Sequence, residues 1–231
     1  MKVSLASAMG TCFGVRDAID LAMSPEFHSD LTIVGQLVHN PQVSESLKQN
    51  GVSLVPGIED ISQIKTKKVM ITAHGAAEKT KQRLHDAGFI VYDASCPLVM
   101  RVHQTIKSLV TKGYFPVVIG QKDHVEVKGI VGDLEAHLVI NNEDDFEKIE
   151  SSGNRKLGIV SQTTQQTDKV EGLVEKIKLP IMAIIIKDII IFNLSSLKII
   201  NIIEFNLLIL YMNIFIVANL KNINLTYYRI F

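Results

Sequence analysis

Up to about Leu179, short apolar runs alternate with amphipathic stretches of helical length, and few folds accommodate that order. MKVSLAS reads as a strand, followed by a Gly-flanked loop and a helix from about Val15 to Met23. LTIVG reads as a second strand; a helix follows over Pro41 to Gln49, with proline in its first turn and Asn50-Gly51 to stop it. KVMITAHG, a helix from Ala77 to Ala87 closed by Gly88, and FIVYDAS repeat the unit. From Pro97 it recurs as a helix to Lys112, strand PVVIG, helix Val125 to Val131, strand HLVI, helix Glu143 to Ile149, strand KLGIVS and helix Gln166 to Ile177. Strands separated by helices pair in parallel, because a parallel neighbour needs a long crossover. The expected fold class is α/β, with two small parallel-sheet domains over residues 1-96 and 97-179.

The alternation stops where the composition changes. All 14 Gly, all 6 Pro, all 7 His and both Cys lie within residues 1–180. Residues 181–231 hold 16 Ile, 7 Leu and 7 Asn but only 6 charged side chains. The neutral total of 24 Lys+Arg against 24 Asp+Glu is therefore a cancellation of −2 in the first 180 residues against +2 beyond. Neither part has the cation excess that nucleic acid or an anionic membrane surface selects. The longest apolar reach, Ile199 to Leu220, is broken by Asn201, Glu204, Asn206, Asn213 and Asn219, a poor fit to a membrane span. Lacking Gly, Pro and a clean period of 2 or 3.6, residues 180-231 are expected not to be a native domain. Translation of AT-rich DNA outside its frame yields this mixture of Ile, Asn, Lys, Leu, Phe and Tyr. Two cysteines exclude a disulfide framework, and the N-terminus has no continuous apolar signal-peptide core, so the expected compartment is the reducing cytoplasm.

Functional loops of parallel sheets lie at the carboxyl ends of the strands. The chemically capable residues fall there: Cys12 after MKVSLAS, His39 after LTIVGQ, His74 after KVMITA, Cys96 after FIVYDAS, His124 and Glu126 after PVVIGQ, and Thr163 after KLGIVS. Cys12 and Cys96 each precede a helix, whose N-terminal amides favour a thiolate; a lone cytosolic cysteine is otherwise a small buried apolar residue. Convergent imidazoles bind phosphate oxygens or a metal, whereas single loop histidines are solvated or structurally hydrogen-bonded, the reading given to His28, His85, His103 and His137. Glu126 is suited to general acid work if burial raises its pKa, or else is a helix-start carboxylate. The hydroxyls of Ser161-Gln-Thr-Thr164 sit at a helix entrance, where an N-cap is the ordinary role.

Six segments, GTCFGV, VHNPQV, TAHG, DASCPLV, the run from His124 through Glu126 to Gly129, and SQTT, stand in an order and spacing that resemble one family. It is the iron-sulfur enzyme 4-hydroxy-3-methylbut-2-enyl diphosphate reductase, the LytB or IspH family, and the resemblance extends from residue 1 to about 178. The resemblance implies the terminal reaction of non-mevalonate isoprenoid synthesis: two electrons and two protons remove the 4-hydroxyl of an allylic diphosphate, giving isopentenyl and dimethylallyl diphosphates. It implies a [4Fe-4S] cluster held by three cysteines, with Cys12 and Cys96 as ligands. His39 and His74 would bind the diphosphate, His124 would line the substrate pocket, Glu126 would deliver the proton and Thr163 would orient that relay. Ferredoxin or flavodoxin is the implied electron donor.

The departures are as informative. Thr11 stands where the family usually has an aromatic residue, and Val125 where proline is common. Nothing after Leu179 resembles the family's third α/β domain, which carries the third cluster cysteine and a Ser-Asn-Ser segment for the diphosphate. The expectation is two domains of a three-domain fold, the third domain missing. Three readings follow: a truncated, inactive family member; a reductase whose missing domain another chain supplies; and a non-enzymatic protein whose two domains bind a diphosphate or a partner, with residues 180-231 as a membrane or interaction segment.

Overall fold

Every described strand pairs in parallel, as the helix-separated order requires. The computed structural model describes residues 11–27, 29–57, 61–153, 156–177 and 225–227. The expected strand MKVSLAS lies outside the described residues, as do His28 and most of residues 180-231. The chain divides into two compact units, Met1–His103 with Asp123–Leu134, and Gln104–Lys122 with Glu135–Phe231.

In the first unit β1 (Leu31–Val34), β2 (Ser53–Val55), β3 (Lys68–Ile71) and β4 (Ile90–Asp93) form a sheet of order β2-β1-β3-β4. Side chains alternate across a strand, so each face collects its own apolar set. Leu31, Ile33 and Met70 pack with Ala18 and Ala22 of α1 (Phe13–Ala22) and Leu47 of α2 (Pro41–Gln49). Val69 and Ile71 pack with Leu84 of α3 (Glu78–Asp86), Val55 and Ile64. Burial on both faces is what a parallel sheet with crossover helices demands. Asn40 caps α2 by accepting the Gln42 N–H at 2.9 Å, and Pro41 suits the first turn because its missing N–H would have no helical partner.

α4 (Pro97–Thr111) follows β4, and α5 (Val125–Val131) belongs to the first unit although it follows β5 (Phe115–Ile119). The N-cap residue of α3 is Ala77, whose side chain makes no capping hydrogen bond. The Asp133 carboxylate supplies one, accepting the Glu78 N–H at 2.7 Å and the Lys79 N–H at 3.0 Å. Asp133→Ala is expected to cost about 1 kcal/mol, the usual value of a cap, read as a lower denaturant midpoint at unchanged slope.

The second unit holds β5, β6 (Leu138–Ile140), β7 (Leu157–Ser161) and β8 (Leu225–Tyr227) in the order β6-β5-β7-β8. One face packs Val117, Ile119, Ile140 and Ile159 against Ile149 of α6 (Phe146–Ser152) and against Val170, Leu173, Val174 and Ile177 of a helix over 167–177, α7. That spacing is the apolar stripe of a 3.6-residue period.

Three features go beyond the sequence expectation. The helix expected from Glu143 starts as a 3-10 turn, Glu143–Asp145, and continues as α6 to Ser152. Its capping box, in which the Asp145 carboxylate also accepts the Asn141 N–H at 2.7 Å, holds the entry in a tighter turn. Strand β2 is three residues long, too short for alternation to reveal. Leu225–Tyr227, within the segment expected not to be a native domain, forms β8, in register with β7 as Leu157↔Leu225 and Ile159↔Tyr227.

Candidate functional site

In the first sheet the chain steps outward from β1 to β2, returns to β3 on the other side of β1 and continues to β4. The loops leaving β1 and β3 therefore part at adjacent strand ends, the topological switch point where open α/β sheets bind ligands. The β1 loop carries His39 and the β3 loop carries His74. His74 is a central residue of a turn closed by the Gly75 N–H on the Thr72 carbonyl at 3.0 Å, with Gly75 at φ +77°. A Cβ at Gly75 would also come within 2.9 Å of Val99, so both backbone and space select glycine. His124, the N-cap of α5, completes the cluster.

The His39 and His74 ring centroids are 4.4 Å apart, and His124 stands edge-on to both, at 5.6 and 5.7 Å. His39 pairs with the Gln36 amide oxygen at 3.2 Å. The His124 Nδ1 accepts the Glu126 N–H at 3.2 Å, which fixes the neutral tautomer with its proton on Nε2. The His74 Nε2 is buried without a hydrogen-bond partner. A cleft of about 550 Å³ opens here, lined by His39, His74, Thr72, Ser44, Lys48 and Val125. A second, of about 410 Å³, shares Thr72 and Val125 and continues to Lys79 and Lys128.

Burial, followed by repulsion from His39 and His124, lowers the His74 pKa from 6.5 to about 4. Burial and His39 also lower that of His124. Between about pH 4 and 6.5 the unfolded chain holds more protons at position 74 than the folded one, so this term is fully present above 6.5 and is lost as pH falls toward 4. Thermal melts are expected to drop across that window, and to drop less in His74→Gln; equal pH dependence in the two proteins would refute the assignment.

Cys12 is the exposed N-cap of α1, and Cys96, half-buried, immediately precedes α4. The two helix starts adjoin: a Cβ built on Gly14 would stand 2.4 Å from the Cys96 Sγ. The Cys96 N–H donates to the Ala73 carbonyl at 3.0 Å, tying the thiol turn to the residue before His74. Asp93 shapes that turn by accepting the Ser95 N–H at 2.9 Å and the Ser95 hydroxyl, and pairs with Lys81 at 2.7 Å. Burial opposes ionisation of Asp93, yet the Lys81 and Ser95 donors hold its carboxyl below the usual range. As donors, two soft thiols at neighbouring helix starts fit two ligand positions of an iron-sulfur cluster. Among the described residues no group of three or more metal-ligating side chains assembles.

Glu126 is only 1% exposed, in the first turn of α5 behind His124. Thr163 belongs to the second unit, just past the end of β7. Its neighbour Gln162, buried, accepts the Gln121 N–H at 3.1 Å and donates to the Thr164 hydroxyl at 2.7 Å. The structure thus brings His39, His74 and His124 together and sets Cys96 beside α1. Sequence reading missed Lys48 and Ser44; their i, i+4 spacing on α2, immediately after His39-Asn40, was the available signal. No helix among the described residues is long and apolar enough to cross a membrane.

The sequence profile of the family described as LytB protein matches residues 3–192. A relative from Kosmotoga olearia, named 4-hydroxy-3-methylbut-2-enyl diphosphate reductase, is 34% identical over 185 residues, covering 77% of this chain and 62% of the relative. One of the same name from Clostridium acetobutylicum is 36% identical over 181 residues, covering 77% of this chain and 28% of the relative. A solved structure titled as (E)-4-hydroxy-3-methyl-but-2-enyl diphosphate reductase, the terminal enzyme of the non-mevalonate pathway, superposes with TM-score 0.65 at 33% identity, covering 74% of this chain and 61% of that one. The chain therefore spans less than two thirds of the length of these relatives. With the family profile matched over most of its residues and the parallel α/β fold shared, this chain belongs to the LytB family.

Proposed function

We propose that the chain acts in the reductive dehydroxylation of (E)-4-hydroxy-3-methylbut-2-enyl diphosphate to isopentenyl and dimethylallyl diphosphates. The observation that carries this reading is the convergence of three histidines at the switch point of the first sheet, beside a thiol turn anchored on the residue that precedes His74. His39 and His74 hold the diphosphate. Neutral His74 and His124 offer ring N–H donors, and an anion placed among the rings raises their pKa and draws protons to them. Glu126 holds the proton that leaves with the 4-hydroxyl as water. Cys12 and Cys96 would hold a [4Fe-4S] cluster, which when bound supplies electrons and a Lewis-acidic iron. The reaction consumes two electrons and two protons for each water released; a ferredoxin or flavodoxin is the electron source, and the reducing cytoplasm keeps the thiols free.

A second reading has its own observation: the sequence contains two cysteines, so a cluster held by them has two thiolate ligands rather than three. On that reading the chain binds a diphosphate without turning it over. Anaerobic reconstitution with iron and sulfide separates the two. Retained iron, lost in Cys96→Ser, together with substrate conversion supports the reductase; a colourless, iron-free protein that still binds diphosphate supports the second.

A further inference from the structure

We infer that Lys48 is the cation of the diphosphate site and that Ser44, one helical turn earlier, is its hydroxyl donor. The inference rests on the proposed diphosphate reading and adds residues to it. Among the described residues lining the 550 Å³ cleft, Lys48 is the sole Lys or Arg. Burial and mutual repulsion hold His74 and His124 neutral, so neither brings a charge before an anion arrives. His74 and His124 have to take up protons before they can offset the anion, whereas Lys48 brings a cation to the same cleft wall, and an anion taken from water needs a counter-charge.

The local fold supplies it. Asn40, next to His39, caps α2, so the helix grows directly out of the histidine loop. Positions 44 and 48 are four residues apart on that helix and share one face, which is the cleft wall. The Ser44 hydroxyl rests on the Asn40 carbonyl at 3.4 Å, a long bond that it can exchange for a phosphate oxygen. Lys48 is exposed and lies in the last turn of α2, on a stem long enough to follow the anion.

Titration calorimetry of the full chain with inorganic diphosphate tests this without any cluster. Wild-type affinity is expected to fall with added salt. Lys48→Met is expected to weaken binding about tenfold and flatten that salt dependence, with Lys48→Arg within about twofold of wild type. Ser44→Ala is expected to weaken binding about threefold with the salt dependence intact. Wild-type affinity and salt response in Lys48→Met would overturn the role of Lys48 while leaving the histidine site standing. Failure of wild type to bind diphosphate at all would overturn the diphosphate reading and this inference with it.

Discussion

Gly14→Ala is expected to destabilise the chain by about 1–3 kcal/mol and to lower iron retention after reconstitution by about tenfold or more. Position 14 is inside α1 with helical backbone, where alanine would ordinarily add up to about 1 kcal/mol of stability. The opposite sign is expected here because the added Cβ would stand 2.4 Å from the Cys96 Sγ and 2.9 Å from its Cβ. One of the two turns has to move, and the Cys96 turn is held by the Ala73 carbonyl and by Asp93, so relief comes through α1 or through expulsion of the thiol. Chemical denaturation gives the stability, and the alkylation rate of Cys96 reports its displacement. Cys96→Ala in the Gly14→Ala background removes the closest clash and is expected to recover part of the loss. A more stable Gly14→Ala protein with unchanged Cys96 reactivity would show that the two helix starts do not pack as described.

The regular elements were legible because their signals are local. Pro41–Gln49 and Val125–Val131 match the sequence reading at both ends, and for the first of them Pro41 marks the start and Asn50-Gly51 the stop. Parallel pairing followed from order alone. The histidines were legible as strand-end residues, but their ring distances depend on which strands neighbour one another, and the order β2-β1-β3-β4 is not written in any single segment. The same holds for Asp133, which caps a helix starting 55 residues earlier, and for α5, whose grouping with the first unit interrupts the linear order. Lys48 escaped notice because a lysine in the last turn of a helix is fully accounted for by the helix dipole; only the cleft gives it a second role. Strand β8 escaped because composition averages over many residues, whereas three suffice to extend the edge of β7.

Glu126→Gln is expected to reduce substrate turnover by about two to four orders of magnitude, the usual contribution of a positioned proton donor. The substitution keeps the shape of a side chain that is 1% exposed and removes its capacity to give up a proton. The backbone N–H at position 126 remains, so the bond to the His124 Nδ1 and the tautomer of that ring persist. Diphosphate binding is therefore expected to stay within about twofold of wild type, since the charge-assisted contacts assigned to the cleft wall are untouched. Anaerobic product formation and calorimetry with inorganic diphosphate, run on the same preparations, give the two readouts. Loss of turnover with retained binding places the defect in proton delivery, because an interaction needed only in the transition state leaves ground-state affinity unchanged. Parallel loss of both would make Glu126 a structural support of the histidine cluster, and full activity in Glu126→Gln would move the proton source elsewhere in the site.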